Sequence, residues 1–321
     1  MMLPQTFYAL GKLLLTAEYF VLDGAEALAL PTSFGQSLKI IENNAENLIW
    51  KSFDSHENIW FEGVFNPQNF DLLQSNDKTV GQTLSNILKK AHQLSITHHS
   101  FPITHKQIET HLTFPKDWGL GTSSTLIYTI SQLFNVNPFD LLKETFGGSG
   151  YDIACAGANS PIIYALKNGE PAFEEVLFQP IFEDSLYFIH LGKKQNSREG
   201  IARYREKSRN TPRLQVSPLG HYIDQISTLT LAFYCEEDLQ NFEKLIVEHE
   251  NIVASFIDLP RVQSLYFKDF WGQTKSLGAW GGDFVMATSD RGFEATEQYF
   301  KEKGFPTVLK YNEMINNNLS V

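Results

Sequence analysis

The sequence predicts a protein of two α+β domains. The chain has 321 residues, which is long for a single hydrophobic core, and 42% of its residues are apolar. Segments with the pattern of strands and segments with apolar residues at helical spacing are mixed along the whole chain. This pattern starts again after the turn-forming residues 168–171. We therefore expect a first domain over residues 1–180 and a second over residues 181–321.

In the first predicted domain, short apolar segments separated by Asn- and Asp-containing turns indicate a mostly antiparallel sheet. Residues 18–30 are expected to turn through Asp23 and Gly24. The predicted strands are residues 6–15, 37–41, 48–53, 59–65 and 108–114. The predicted helices are residues 79–94, 126–134, 138–145 and 153–158.

The second predicted domain also mixes both kinds of element. Its predicted strands are residues 186–191 and 284–288. Its predicted helices are residues 197–207, 218–232, 239–256 and 293–303. The helix over 239–256 has an apolar stripe that includes Phe242, Ile246 and His249, which indicates a role in packing.

Composition excludes several classes of protein. The net charge of −11 and the pI near 5.3 argue against a nucleic-acid binder, which needs clustered Lys and Arg. Cys155 and Cys235 are too few for a disulfide scaffold, so a reducing compartment is expected. The first residues form no basic leader, and no apolar run approaches the roughly 18 residues of a membrane span. We expect a cytoplasmic protein without a membrane partner.

A glycine loop precedes the predicted helix 126–134. Gly119, Leu120 and Gly121 are followed by three hydroxyl residues, Thr122, Ser123 and Ser124. Small glycines let backbone N–H groups approach a phosphate, the helix start adds partial positive charge, and a hydroxyl can bind Mg²⁺. An ordinary helix N-cap has the same sequence, so both interpretations stay open here.

Two charged residues could complete a phosphate site. The loop lacks the lysine of the common GxxxxGK[ST] motif, and Lys12, inside an apolar strand, is the candidate cation. A solvated lysine on an edge strand is the alternative. Asp152 follows a Gly-rich turn and could accept a proton from an alcohol. Its alternative role is an N-cap for the helix 153–158.

Five segments together resemble the motifs of the GHMP kinases, a family named for galacto-, homoserine, mevalonate and phosphomevalonate kinases. They are residues 10–15, 17–24 with Pro31, 115–125, 148–152 and 275–283. The sequence of residues 19–24 is similar to that of the mevalonate and phosphomevalonate kinases. Residues 150–154 read Gly-Tyr-Asp-Ile-Ala, which resembles the GYDIA-type subgroup.

The resemblance implies a fold and an activity. The fold would be the two-domain GHMP kinase fold, with an N-terminal domain like domain 2 of ribosomal protein S5 and a ferredoxin-like C-terminal domain. The activity would be transfer of the γ-phosphoryl group of ATP, with Mg²⁺, to a small-molecule alcohol, with mevalonate or a related compound the first to try. A homodimer is an open expectation.

The resemblance also implies residue roles. Asp152 would be the catalytic base, supported by Lys12, and Ser123 would bind magnesium. The second magnesium carboxylate of the family has no clear match; Glu144 is the nearest, with a solvated helix residue as its alternative. The implied nucleotide-binding residues are Gly119, Leu120, Gly121, Thr122, Ser123, Ser124, Gly278, Ala279, Gly281 and Gly282. The implied substrate-binding residues are Glu18, Ser149, Gly150 and Ser197, the last within the segment 195–198.

Four residues depart from the family motifs. Ala17 replaces a glycine, Tyr19 replaces the histidine of mevalonate kinases, and Trp280 and Asp283 replace two glycines. The indole is expected to narrow or rigidify its segment, and Asp283 brings a negative charge near a phosphate site unless it points away or meets Mg²⁺. Two other functions therefore stay open: a decarboxylase of a diphosphorylated acid, and a ligand sensor that binds nucleotide without turnover.

Overall fold

A computed structural model describes residues 5–95, 104–192, 197–210, 218–278, 280 and 282–316. The chain divides into two compact units, each built from segments that are distant in sequence. The first unit contains Met1–Gly11, Phe34–Lys116 and Leu120–Gly157, and the second contains Lys12–Ser33, Asp117–Gly119 and Ala158–Val321. The boundary expected near residue 180 stays a prediction.

The first unit contains a mostly antiparallel sheet, as predicted. Its strands are β1 (Thr6–Leu14), β2 (Ala27–Glu42), β3 (Leu48–Phe53), β4 (Ile59–Phe65), β5 (Leu72–Ser75) and β6 (Lys106–Leu112). The strand order is β5-β4-β3-β6-β2, with β1 paired to β2, and only the β3–β6 pair among the described pairings of this unit is parallel. Strand β2 is longer than the predicted 37–41 because its first residues are buried continuously and lack polar alternation.

Four helices of the first unit pack against this sheet and one another. They are α1 (Lys78–Leu94), α2 (Thr122–Phe134), α3 (Pro138–Thr145) and α4 (Tyr151–Gly157). Asp77 caps α1 by accepting the N–H groups of Thr79 and Val80. Trp50, Phe61 and Ile127 belong to the buried apolar cluster that joins strands and helices. This core fixes the start of α2, where the glycine loop ends.

The second unit contains the first part of β2 and two further groups of strands. Strand β2 pairs with β7 (Ile162–Lys167), which pairs with β8 (Glu170–Glu175). A separate antiparallel sheet has the order β10-β11-β9-β12. Its strands are β9 (Leu186–His190), β10 (Thr274–Ser276), β11 (Phe284–Thr288) and β12 (Val308–Lys310).

The helices of the second unit include every predicted one. They are α5 (Ser197–Asn210), α6 (Pro218–Cys235), α7 (Leu239–Ile257), α8 (Val262–Tyr266), α9 (Gly292–Glu302) and α10 (Tyr311–Met314). The sequence analysis did not predict α8, α10 or the strands β7, β8, β10 and β12, because elements of three to six residues are short for a clear periodicity. Each unit thus combines a sheet with helices, which confirms the predicted α+β class. Among the described helices, none has the length and apolar character that a bilayer crossing demands.

Candidate functional site

The glycine loop ends in a helix start that carries no side-chain cap. Gly121 is the N-cap of α2 and has φ 97°, a left-handed conformation that favours glycine. The first helical hydrogen bond runs from Thr125 N to Gly121 O at 2.9 Å. The N–H groups of the first turn have no intrahelical acceptors, so this end of α2 can receive an anion.

The four hydroxyl residues after Gly121, residues 122–125, have different environments. Ser124 is buried and its Oγ donates to Gly121 O at 2.9 Å, while Thr125 Oγ1 donates to Gln36 Oε1 at 2.8 Å. Ser123 is exposed and Thr122 is half-buried. Of the two adjacent serines, Ser123 and Ser124, only Ser123 is therefore exposed to solvent.

Lys12 contacts the glycine loop. Its Nζ donates a hydrogen bond to Gly119 O at 2.8 Å, and both residues lie in the second unit. The lysine is partly buried, so it differs from the solvated edge residue that was the alternative. Leu120, the next residue of the loop, is fully buried and belongs to the first unit.

Asp152 lies in the first turn of α4, after a turn of glycines. Gly147, Gly148 and Gly150 all have positive φ, which only a glycine-rich turn adopts easily. Asp152 is half-buried, and its Oδ1 accepts the N–H of Ile153 at 3.0 Å. Because the helix starts at Tyr151, Asp152 is a helical residue rather than the N-cap. Ser149, three positions earlier in the same turn, is buried.

Glu18 lies in a fully buried group of charges in the second unit. Its Oε1 contacts Lys275 Nζ at 2.6 Å, and its Oε2 lies 3.4 Å from His249 Nε2. Glu250 Oε1 is 3.9 Å from the same Lys275 Nζ and accepts the N–H of Ser276 at 3.0 Å. Glu18 therefore bonds within the protein interior, and its role in substrate binding stays a prediction.

Burial shifts the titration of this group. It raises the pKa of Glu18, against the attraction of Lys275, and raises the pKa of Glu250 to about 8. It lowers the pKa of His249 well below its ordinary value, with the positive charge of Lys275 adding to the effect. His249 Nε2 accepts the N–H of Ala17 at 3.0 Å, as a neutral imidazole can.

Sequence patterns did not reveal the partners of Glu18. His249 lies on the apolar stripe of α7, where the spacing indicated packing alone, and Glu250 is its neighbour. No local pattern predicts that two polar side chains on a packed helix meet a carboxylate more than 200 residues away, because that pairing is tertiary.

The residues that depart from the family motifs are held firmly. Ala17 keeps φ 64°, a value suited to the glycine it replaces. Tyr19 Oη accepts the N–H of Trp280 at 3.1 Å, and Trp280 Nε1 donates to Pro260 O at 3.0 Å. The indole is 5% exposed. Trp280 therefore ties its segment to two other parts of the second unit.

Asp283 lies directly against Gly119. A Cβ atom added to Gly119, which has φ 68°, would overlap the Asp283 carboxylate. Asp283 itself has φ 31°, and its carbonyl oxygen accepts the N–H of Leu191 at 2.8 Å. A Cβ on Gly278 would meet no atom within 4 Å. The second unit thus brings together Lys12, Gly119 and Asp283.

The remaining predicted residues lie elsewhere or outside the description. Glu144 is an exposed residue of α3 whose Oε2 pairs with Lys90 Nζ at 3.1 Å. Ala279, Gly281 and residues 195–196 lie outside the described residues, as does the side chain of Ser197. Over the described ranges, no group of three or more His, Cys, Asp and Glu residues could hold a metal by itself. These assignments stay predictions.

No protein-family model and no curated protein sequence matches the chain. Solved structures match it over nearly its whole length. The mevalonate kinase of L. major, crystallised with R-mevalonate, is 18% identical with a TM-score of 0.66 and covers 95% of this chain and 94% of its own. The phosphomevalonate kinase of Streptococcus pneumoniae, with phosphomevalonate and AMPPNP, is 13% identical with a TM-score of 0.66 and coverages of 95% and 99%.

The galactokinase of Lactococcus lactis, crystallised with galactose, is 12% identical with a TM-score of 0.72 and covers 98% of this chain and 94% of its own. Identities this low establish a shared fold and no more. The protein therefore has the GHMP kinase fold, the fold that its sequence motifs implied.

Proposed function

We propose that the protein is a kinase that transfers the γ-phosphoryl group of MgATP to the hydroxyl group of a small molecule. The hydrogen bond from Lys12 Nζ to Gly119 O carries this proposal. It joins a cation to a glycine loop 107 residues away in sequence, and phosphate chemistry needs both. The fold shared with three kinds of kinase supports the same activity.

The residues present fit a nucleotide phosphate. Gly121 leaves the start of α2 uncapped, and the space where a Cβ on Gly278 would lie is open. The backbone of residues 119–124 would bind phosphate oxygens, together with Gly278 and Gly282. The exposed Ser123 hydroxyl would hold magnesium, which supplies positive charge to the β- and γ-phosphates when bound.

Asp152 is the proposed base. Its carboxylate would accept the proton of the substrate hydroxyl as the oxygen forms a bond to the γ-phosphorus and ADP leaves. The positive charge of Lys12 would stabilise the transferred group. The half-buried position of Asp152 supports this role, because a carboxylate there remains reachable while water is partly excluded.

The alcohol is proposed to be mevalonate or a related isoprenoid-pathway intermediate. The wording of residues 19–24 and the likeness to mevalonate and phosphomevalonate kinases support this choice. The test is a panel of mevalonate, phosphomevalonate, homoserine and galactose, with ADP release and a phosphorylated product as readouts. ADP release with one of the first two alcohols is expected. Release of CO₂ from a diphosphorylated acid would instead indicate the decarboxylase.

A ligand sensor of the same fold is the second candidate. The position of Asp283 against Gly119 favours it, because a carboxylate beside a phosphate opposes turnover unless a cation intervenes. Nucleotide binding without ADP release, across the whole panel, would support the sensor against the kinase.

A further inference from the structure

Asp283 places a negative charge against the loop that is proposed to bind phosphate. Its carboxylate fills the space that a side chain on Gly119 would need. A positive charge contacts the same glycine, because Lys12 Nζ donates a hydrogen bond to Gly119 O at 2.8 Å. Gly119 is therefore flanked by a cation on its carbonyl oxygen and by a carboxylate on its Cα.

The backbone of Asp283 is fixed in an unfavourable conformation. Its φ of 31° is rare for a residue with a side chain, and glycine would adopt it at lower cost. The residue cannot relax easily, because its carbonyl oxygen is bonded to Leu191 N and the next residue, Phe284, pairs with His190. Strained residues of this kind cluster at ligand sites, which directs attention to what the carboxylate binds.

A phosphate bound at Gly119 and the Asp283 carboxylate would repel each other unless a cation lay between them. Carboxylates are preferred ligands of Mg²⁺, and proteins commonly bind Mg²⁺ with one or two carboxylates plus the phosphates of a substrate. Over the part of the chain that the structure describes, no cluster of acidic, His and Cys side chains could hold a metal without help. A divalent cation at Asp283 would thus arrive with the nucleotide.

We propose that Asp283 is a ligand of the divalent cation that accompanies the nucleotide, and that it makes nucleotide binding at Gly119 depend on that cation. This inference rests on the proposed nucleotide-binding function. Without the cation Asp283 repels the phosphates, and with it Asp283 attracts them.

The test compares ADP binding by the full chain in excess EDTA and in saturating Mg²⁺, by calorimetric titration. The first variant, Asp283→Asn, removes the charge. The second, Asp283→Gly, also removes the charge and suits the positive φ, so it serves if the asparagine variant folds poorly. Asp290→Asn, at an exposed aspartate of the same unit, is the matched control. Binding of Mn²⁺ in the presence of ADP, followed by electron paramagnetic resonance, provides a second readout.

In the wild type and the control, Mg²⁺ is expected to strengthen ADP binding at least tenfold. In the Asp283 variants, binding without Mg²⁺ should tighten and binding with Mg²⁺ should weaken, so that the enhancement falls at least threefold. Mn²⁺ affinity should fall as well. An unchanged Mg²⁺ enhancement in both variants would overturn this inference alone. Failure of the wild type to bind ADP in either condition would overturn the proposed function, and this inference with it.

Discussion

The buried charges around Lys275 show how strongly one residue can depend on its partners. Lys275, Glu18 and Glu250 are each fully buried, so none of their charges is solvated. Removing one member of such a group leaves another charge without its partner, and that costs far more than the net contribution of the pair. Lys275 contacts both acidic residues, Glu18 at 2.6 Å and Glu250 at 3.9 Å.

Lys275→Met is expected to lower the free energy of unfolding by about 3–5 kcal/mol, because the buried Glu18 then loses its nearest cation. Urea denaturation at neutral pH measures this change. Lys268→Met, at an exposed lysine of the same unit, is the control and should change stability by less than about 0.5 kcal/mol. Equal effects of the two substitutions would contradict an essential role of Lys275.

Glu250 should make stability depend on pH. Its pKa is raised from 4.5 to about 8, so between these values the folded protein keeps a proton that the unfolded chain has lost. Its contribution to stability is complete below pH 4.5 and is lost as pH rises towards 8. The lowered pKa of His249 acts in the opposite direction, since stability is lost as pH falls below 6.5.

Glu250→Gln is expected to remove the part of the pH dependence that belongs to Glu250. Between pH 7 and pH 8 the wild type should lose stability with rising pH more steeply than the variant, by up to about 1.4 kcal/mol per pH unit. His249 titrates equally in both proteins and cancels in the difference. Parallel stability curves from urea denaturation across this range would show that Glu250 keeps an ordinary pKa.

Asp152→Asn tests the proposed base. Turnover should fall by about 10²–10⁴-fold, because an amide cannot accept the proton of the alcohol. Nucleotide affinity should change less than about threefold, since the amide keeps the shape of the carboxylate. Asp140→Asn, at an exposed residue of α3, is the control. Turnover near the wild-type rate would remove Asp152 from the mechanism.

At the scale of elements, the segment Asp117–Gly119 is built for close approach. It belongs to the second unit, while the residues directly before and after it belong to the first. Trp118 packs edge-on against Phe284, and Lys12 holds the carbonyl oxygen of Gly119. The side chain of Asp283 occupies the space that a larger residue at Gly119 would need.

Gly119→Ala should destabilise the protein for two reasons, a positive φ and an overlap with Asp283. The first costs about 1–2 kcal/mol. Gly169→Ala measures the cost of the positive φ alone, because Gly169 has φ 83° and no atom lies within 4 Å of where its Cβ would be. In urea denaturation we expect Gly119→Ala to lower the free energy of unfolding more than Gly169→Ala does. Adding Asp283→Gly to the Gly119→Ala variant should remove this extra loss, because the overlap is then gone. If the two alanine variants lose equal stability, the overlap is not a real constraint.

Sequence patterns predicted the long elements and failed where tertiary contacts decide. Helices such as α1 and α7 show clear apolar spacing, whereas β10 and β12 have only three residues each. A contact between Lys12 and the glycine loop could be expected, because the loop lacks a lysine of its own and Lys12 was the candidate cation. The direction of the Asp283 side chain could not, since it depends on the backbone of β11 and on the space beside a glycine 164 positions away.

At the scale of the whole molecule, the two units interleave along the chain. The second unit takes residues 12–33 and 117–119 from the first half of the sequence, and Glu18 is among them. Its apolar core around Phe267, Val285 and Phe300 comes from the second half. The apolar core of the second unit therefore comes from the second half of the chain, while Glu18, the partner of Lys275, comes from the first half.

A fragment of residues 181–321 is expected not to fold by itself. It would lack Glu18, so Lys275 would lose its nearest partner, and it would lack the strands β2, β7 and β8. Near-UV circular dichroism and urea denaturation of the purified fragment, beside the full chain, measure this. A cooperative unfolding transition of the fragment would show that residues 181–321 are an independent domain.

The environment of Trp280 also gives the protein a built-in optical signal. A buried indole whose N–H is hydrogen-bonded to a carbonyl oxygen fluoresces differently from an indole in water. The indole N–H of Trp280 donates to Pro260 O, and its backbone N–H donates to Tyr19 Oη. Any movement of Trp280 that breaks these hydrogen bonds changes its emission. The difference spectrum between the wild type and Trp280→Phe would report that movement in real time, with no label added.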